Sequence, residues 1–340
     1  MKRKQWIFSL FITIVLASIL SFIKLPYFIT KPGIVGNLSD MIQVENGFQE
    51  KGSFSLTTIR IARATPATFL WAKMRSDYEI LPINTVHGEN ESDEEYLSRQ
   101  IYMMEDAQEN AIMTAYKKAR KKISIRYNGV YVYALMKGMP AYKTLKVGDR
   151  IEKVDGIAIH NAEQFTNYIQ KKKRGDQVSF KINRNGKIIN AKIALTSFPN
   201  EQDKAGVGVS IVTDKKVDTS PDITFNTKDI GGPSAGLMMS LEIYNQLTAG
   251  DLTKGLDIAG TGTVNENGEV GPIGGIAQKV IAADQAEMDI FFAPNEHGKR
   301  NSDYQQALKT ADRIHSKMKI VPVDTFDDAV RYLQNLRTSG

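Results

Sequence analysis

The stretch DIGGPSAGLMMSLEIYNQLTAG, Asp229 to Gly250, sets one serine between a glycine pair and an apolar run. Gly231, Gly232 and Pro233 allow a tight turn with a proline near the first helical position. Leu237, Leu241 and Tyr244 recur at i, i+4 and i+7, which predicts a helix anchored through that side. Ser234 therefore stands where loop becomes helix, beside N–H groups that lack a partner within the helix and carry partial positive charge. Its neighbours leave two readings open. It is a capping residue, or it is a nucleophile whose tetrahedral intermediate would rest on those N–H groups.

A serine hydroxyl attacks only when a base takes its proton. The chain has no cysteine and four histidines, His87, His160, His297 and His315. None lies in a motif with the serine or at metal-ligand spacing, so each is expected at the surface, and no metal or other cofactor is expected. A lysine serves as base if burial lowers its pKa by ~3 units. The candidate is Lys279 in GPIGGIAQKVIAADQAE, where helical spacing surrounds it with Gly275, Ala282, Ala283 and Ala286. That face is small and uncharged, so it admits a close backbone and offers the amine no counter-ion. A solvent-facing lysine on an alanine-rich helix satisfies the same spacing.

Around these two residues strands and helices alternate. VGVSIVTD, the serine helix, LDIAGTGTV, the lysine helix, DIFFAPN, YQQALKTAD, KIVPV and DDAVRYLQNL read as mixed α/β over 198–340. Before them, 123–197 is rich in strand signals. ISIRYNGVYVYALM gives two runs around Asn128-Gly129, and QVSFKINRN and KIINAKIAL form a hairpin through Asn185-Gly186. Further upstream, SFSLTTIRIARA reads as a strand and Thr65-Pro66 as the start of a short helix. Ser92 with Glu95 opens a long helix as a capping box, with Met103, Met104 and Met113 in its core face.

The N-terminus opens with Lys2, Arg3 and Lys4 and then runs without a charge from Trp6 to Ile23. Eighteen residues at ~1.5 Å each reach ~27 Å, enough for a transmembrane helix. Leu25–Ile29 is expected to extend it at the interface, with Tyr27 as an anchor. Basic residues before the span place the N-terminus in the cytoplasm and the rest outside the cell. The net charge of +6 is modest, and the clusters Lys117–Lys122 and Lys171–Arg174 read as solvated helix faces, so nucleic acid is not an expected partner.

GGPSAG with its helix, followed by GTGTVNENGEVGPIGGIAQK, resembles the catalytic region of Lon-type serine peptidases. The resemblance implies a Ser–Lys dyad of Ser234 and Lys279. Thr261 would help to hold the lysine, and Gly232, Pro233 and Ala235 would shape the turn. This sequence has glycine ahead of the proline where the family often has an acid, and Ala277-Gln278 where charges are common. LKVGDRIEKVDGIAI resembles a PDZ domain. The peptide-receiving loop and strand would then be Asn128, Gly129, Val130, Tyr131 and Val132.

Anchor, PDZ and peptidase in this order resemble the membrane-anchored, PDZ-containing Lon-like peptidases of Gram-positive bacteria. The implied layout is an α+β, mixed α/β protein in four parts. These are a cytoplasmic tip and anchor (1–30), a segment packing with the peptidase (31–122), a PDZ domain (123–197) and the catalytic domain (198–340). No G-x-x-x-x-G-K-[ST] occurs, so no nucleotide is expected, and the substrates would be extended peptides or flexible protein segments. Lon-like units often form rings, which makes a homo-oligomer an expectation of the resemblance. The rival reading is a non-catalytic PDZ tether with an inactive peptidase fold.

Overall fold

The computed structural model describes residues 5–8, 11, 22–88, 91–199, 201–227 and 230–336. Among them no helix is long and apolar enough to cross a membrane. Most of the span expected over Trp6–Ile23 lies outside the described residues. One part of that expectation is corrected: Leu25–Ile29 is no interfacial extension. Tyr27–Asn37 (β1) is a sheet strand in which Phe28 and Ile29 are buried. Phe28–Thr30 have strand partners on both sides, which satisfies the backbone better than a headgroup layer does.

After β1 come Ile42–Val44 (β2), Ser53–Arg63 (β3), Pro66–Lys73 (α1), Glu79–Pro82 (β4), Ile83–Val86 (α2) and Asp93–Lys118 (α3). Both expected helix starts form. Thr65 accepts from Thr68 N–H, and Ser92 closes a capping box with Glu95. Of the methionines on α3, Met104 and Met113 are buried and Met103 is half-buried.

Lys122–Leu135 (β5) is one continuous strand, so no pair of strands turns at Asn128-Gly129. Gly129, at φ +128°, and the register shift beside it mark a bulge instead. Arg150–Val154 (β6), Ile157–Ala158 (β7), Ala162–Gln170 (α4), Gln177–Arg184 (β8) and Lys187–Ala194 (β9) follow. Asn185 and Gly186 both have positive φ, as a two-residue hairpin turn requires. Thr196–Phe198 (β10) and Glu201–Gly206 (β11) pair with each other, and Val209–Ser220 (β12) then returns along all of β5. The sheet runs β12-β5-β6-β8-β9 around its own core of Val132, Ile151, Phe165 and Phe180. β12 joins this sheet although it lies beyond the division expected at 197/198.

The chain then passes Ile223–Phe225 (β13), Gly236–Leu247 (α5), Asp257–Gly260 (β14), Thr263–Val264 (β15), Val270–Gly271 (β16) and Ile276–Gln285 (α6). It ends with Ile290–Pro294 (β17), Asp303–Arg313 (α7), Lys319–Val323 (β18) and Phe326–Asn335 (α8). The second sheet has the order β18-β17-β14-β3-β1-β4. β3, β14, β17 and β18 run parallel, and β1 alone is reversed, pairing antiparallel with β3 on one side and β4 on the other.

Side chains along these strands alternate between two faces. Ile258, Ile290 and Phe292 face α3, α5 and α8, whereas Ala259, Phe291 and Ala293 face α6 and α7. The N-terminal strands thus complete the sheet that carries the serine and lysine helices, and the β5/β12 ribbon inserts the PDZ-like unit between them.

Candidate active site

Two glycines place Ser234, in the turn that leads into α5, and Lys279, on α6. Gly232 turns at φ +89°, and a Cβ there would lie 2.8 Å from Gln100 Oε1. Gly275 caps α6 at φ +71°, where a Cβ would lie 2.8 Å from Ile59 of β3. Only glycine combines that backbone with that approach. Leu237 and Leu241 are fully buried, while Tyr244 is half-buried. α5 buries nearly its whole circumference, more than the single expected face.

Lys279 Nζ lies 2.6 Å from Ser234 Oγ and 2.8 Å from Thr261 Oγ1. Thr261 Oγ1 in turn donates to the carbonyl oxygen of Ser234 (3.0 Å), which also accepts the Gly262 N–H (2.9 Å). The threonine's only proton is therefore committed, and its oxygen can only accept from the amine. A neutral Lys279 that donates to Thr261 keeps its lone pair for the serine hydroxyl. Lys279 is 2% exposed, and burial pushes its pKa down to about 7. The opposing influence is Asp303 at the start of α7, itself pushed up by burial while it accepts the Ile273 N–H.

The turn also decides which N–H groups beside Ser234 stay unpaired. Gly232 N–H is taken by Gln100 O, Gly236 N–H by Pro233 O and Leu237 N–H by Gly262 O. Ser234 and Ala235 N–H have no acceptor among the described residues. The role of Gly232 is thus conformational, and Pro233 spends its carbonyl on the first helical turn.

Ser234 and Lys279 open into a cleft of about 740 Å³ between β3 and α3. β3 pairs with β14 only over Ser53–Leu56 but with β1 as far as Arg63. From Thr57 to Ile61 it lines the cleft with its β14-side edge unpaired among the described residues. That edge, ~17 Å long at ~3.4 Å per residue, suits an extended peptide. Tyr96, Leu97, Gln100 and Met104 of α3 form the opposite wall. Sequence reasoning missed Gln100, Asp303 and the β3 edge, since none carries a motif.

The candidate peptide-binding residues Asn128–Val132 are not brought to an open edge. Val130 and Tyr131 pair with β12 on one side and β6 on the other, and Val130 and Val132 are fully buried. A strand paired on both sides has no N–H row left for a peptide. The edge beside α4 is β12, where Thr213 Oγ1 accepts the Ala162 N–H. One histidine also departs from expectation. His87 is buried between Phe28 and Tyr96, with Nδ1 3.0 Å from Glu91 O.

Residues 92–195 match the PDZ domain family, and residues 187–335 match the Lon protease (S16) C-terminal proteolytic domain. A Lon protease of Trichlorobacter lovleyi is 35% identical over 100 residues, 29% of this chain and 11% of that protein. One from Campylobacter jejuni is 34% identical over 102 residues, 30% of this chain and 12% of that protein. This chain thus spans only 11% and 12% of the length of those two Lon proteases. The crystallised PDZ domain of an SdrC-like protein from Listeria monocytogenes is 34% identical. It covers 26% of this chain and 93% of its own, at a TM-score of 0.25, too low to bear on the fold. The chain carries a PDZ domain and a Lon-type C-terminal proteolytic domain, and the second of these is a serine peptidase domain.

Proposed function

We propose that the chain is a membrane-anchored serine endopeptidase that cuts extended peptides or flexible protein segments outside the cell without ATP. The observation that carries this reading is the buried chain of contacts Ser234–Lys279–Thr261. Ser234 Oγ attacks the scissile carbonyl as neutral Lys279 takes its proton. The oxyanion forms beside the Ser234 and Ala235 N–H groups. The lysine ammonium returns the proton to the leaving amine, and a water deprotonated by the same lysine then releases the acyl group. Thr261 keeps the amine's lone pair turned to the serine. The substrate lies along Thr57–Ile61 of β3, which favours chains that are already unfolded.

The apolar run Trp6–Ile23 anchors the protein. The PDZ domain recruits or gates substrate, with peptide addition at the β12 edge beside α4 in place of Asn128–Val132. Incubating the protein with an unstructured polypeptide, without nucleotide and with a chelator present, tests the reading. Cleavage by wild type that is lost in folded Ser234→Ala supports it. Equal cleavage by Ser234→Ala rejects it, and an inert wild type returns the tethering alternative.

A further inference from the structure

Helix α1 is apolar on two sides, and only one of them is covered. Phe69 and Ala72 pack inward with Leu25 and Tyr27 against Ile29 and Ala64. Leu70, Trp71 and Met74, related by i+3 and i+4 and thus neighbours on the helix, are 65%, 56% and 79% exposed. A helix with apolar residues all round is normally buried, and an uncovered large apolar patch marks an interaction surface. Trp beside long aliphatic side chains is the composition of a helix lying at a lipid interface.

Two further observations say what covers this face. The first is continuity. Leu25 N–H donates to Ala64 O, and Arg63 Nε donates to Leu25 O, so the chain leaves the fold directly beside the start of α1. Beyond Lys24, Ile23 and Phe22 are 47% and 83% exposed and end the uncharged run that includes Trp6. The second is charge. Lys24, Arg60, Arg63, Lys73 and Arg75 lie on the segments flanking the patch, against Asp77, Glu79 and Asp93, and although Arg75 pairs with Asp77 and both Lys24 and Arg63 reach Asp93, positive charge remains in excess. Such an excess of cations around an apolar face suits anionic headgroups.

We infer that Leu70 and Trp71 of α1, with its C-cap residue Met74, form a lipid-docking face that seats the peptidase on the bilayer carrying its anchor, with basic residues on anionic headgroups. The inference rests on the anchor reading above. The cleft edge of β3 runs directly into this helix, since Ile61 lines the cleft and Thr65 caps α1. Seated in this way, the cleft opens near the membrane surface, toward flexible segments of other membrane proteins.

The chain has two tryptophans, so Trp6→Phe in the full-length protein leaves Trp71 as the sole reporter. The protein would be reconstituted into phosphatidylcholine–phosphatidylglycerol vesicles, floated, and compared in plain lipid and in lipid brominated near the headgroup. The inference requires flotation, blue-shifted Trp71 emission and quenching by bromolipid. It also requires return to water-like, unquenched emission in Leu70→Asp/Met74→Asp, whose unchanged circular dichroism shows it still folds. Flotation with water-like, unquenched Trp71 overturns the docking face and leaves the anchor standing. Failure to float overturns both. Blue-shifted but unquenched emission, with Met74→Cys crosslinking between copies, assigns the face to a second copy of the chain and also overturns the inference.

Discussion

Ser234, Lys279 and Thr261 form one unit in which each bond limits what the next can do. Lowering the pKa of Lys279 has a cost. Its pKa falls from 10.5 to about 7, so between these values the unfolded chain binds the proton that the native protein lacks. Stability attributable to this residue therefore rises with pH from about 7 to about 10.5 and is lowest below that window. Lys279→Met should abolish cleavage yet raise the melting temperature at pH 7–8, a gain on the order of a few kcal/mol. Unchanged or lowered stability would place the amine in a wetter site than the structure gives it. Thr261→Val should slow turnover roughly five- to tenfold, the worth of one ~1 kcal/mol hydrogen bond, with Thr261→Ser restoring it. A kcat unaffected by valine would remove the threonine from the orienting role.

At the scale of elements, the serine helix is held from both ends. At its start the Gly232 turn fits against Gln100 of α3. Gly232→Ala should cost more than ~1 kcal/mol from the positive φ alone and lower kcat more than KM, because the Ser234 and Ala235 N–H groups shift with the turn. Toward its other end Asn245 donates to Glu50, and one turn earlier Glu242 is fully buried beside that carboxylate, where burial first, then the Glu50 charge, pushes its pKa up to about 8. The native protein thus holds a proton that the unfolded chain releases above about 4.5, so this contribution is complete below 4.5 and lost as pH rises through about 8. Glu242→Gln should flatten that decline in a pH series of thermal melts. A decline as steep as wild type would exclude the pair as its source.

The elements were largely legible where a short-range pattern decides them. The caps at Thr65 and Ser92, the Asn185-Gly186 hairpin and the alternation after Leu256 all form where local spacing put them. Asn128-Gly129 carries the same turn signal as Asn185-Gly186 but becomes a bulge, because β12, ~80 residues later, pairs across it. Likewise the membership of β1 and β12 in their sheets is set by distant partners.

At the scale of the whole molecule, α3 joins the two folded units. Lys215 of β12, its side chain 5% exposed, donates to Asp106 (2.6 Å) and Asn110 (2.7 Å), and Glu109 accepts the Val217 N–H (2.8 Å). These bonds fix the base of the β5/β12 ribbon and hence the angle at which the PDZ domain stands. Lys215→Met should loosen that angle, seen as faster hydrogen exchange in β5 and β12 near the ribbon base while the peptidase core stays protected. Uniformly faster exchange would show a general loss of stability instead. The pairing of Ser234 with Lys279 was readable because each sits in a compact motif. The cleft was not, since its walls, β3 and α3, lie more than a hundred residues before the serine.

The most direct measurement is the single-turnover cleavage rate of an unstructured fluorogenic peptide between pH 5 and 9, with Lys279→Ala and Ser234→Ala beside wild type. A buried neutral lysine as base requires the wild-type rate to rise through one ionisation near pH 7 and then level, with both variants at background. A pH-independent rate, or cleavage that survives in Lys279→Ala, would contradict the Ser–Lys mechanism.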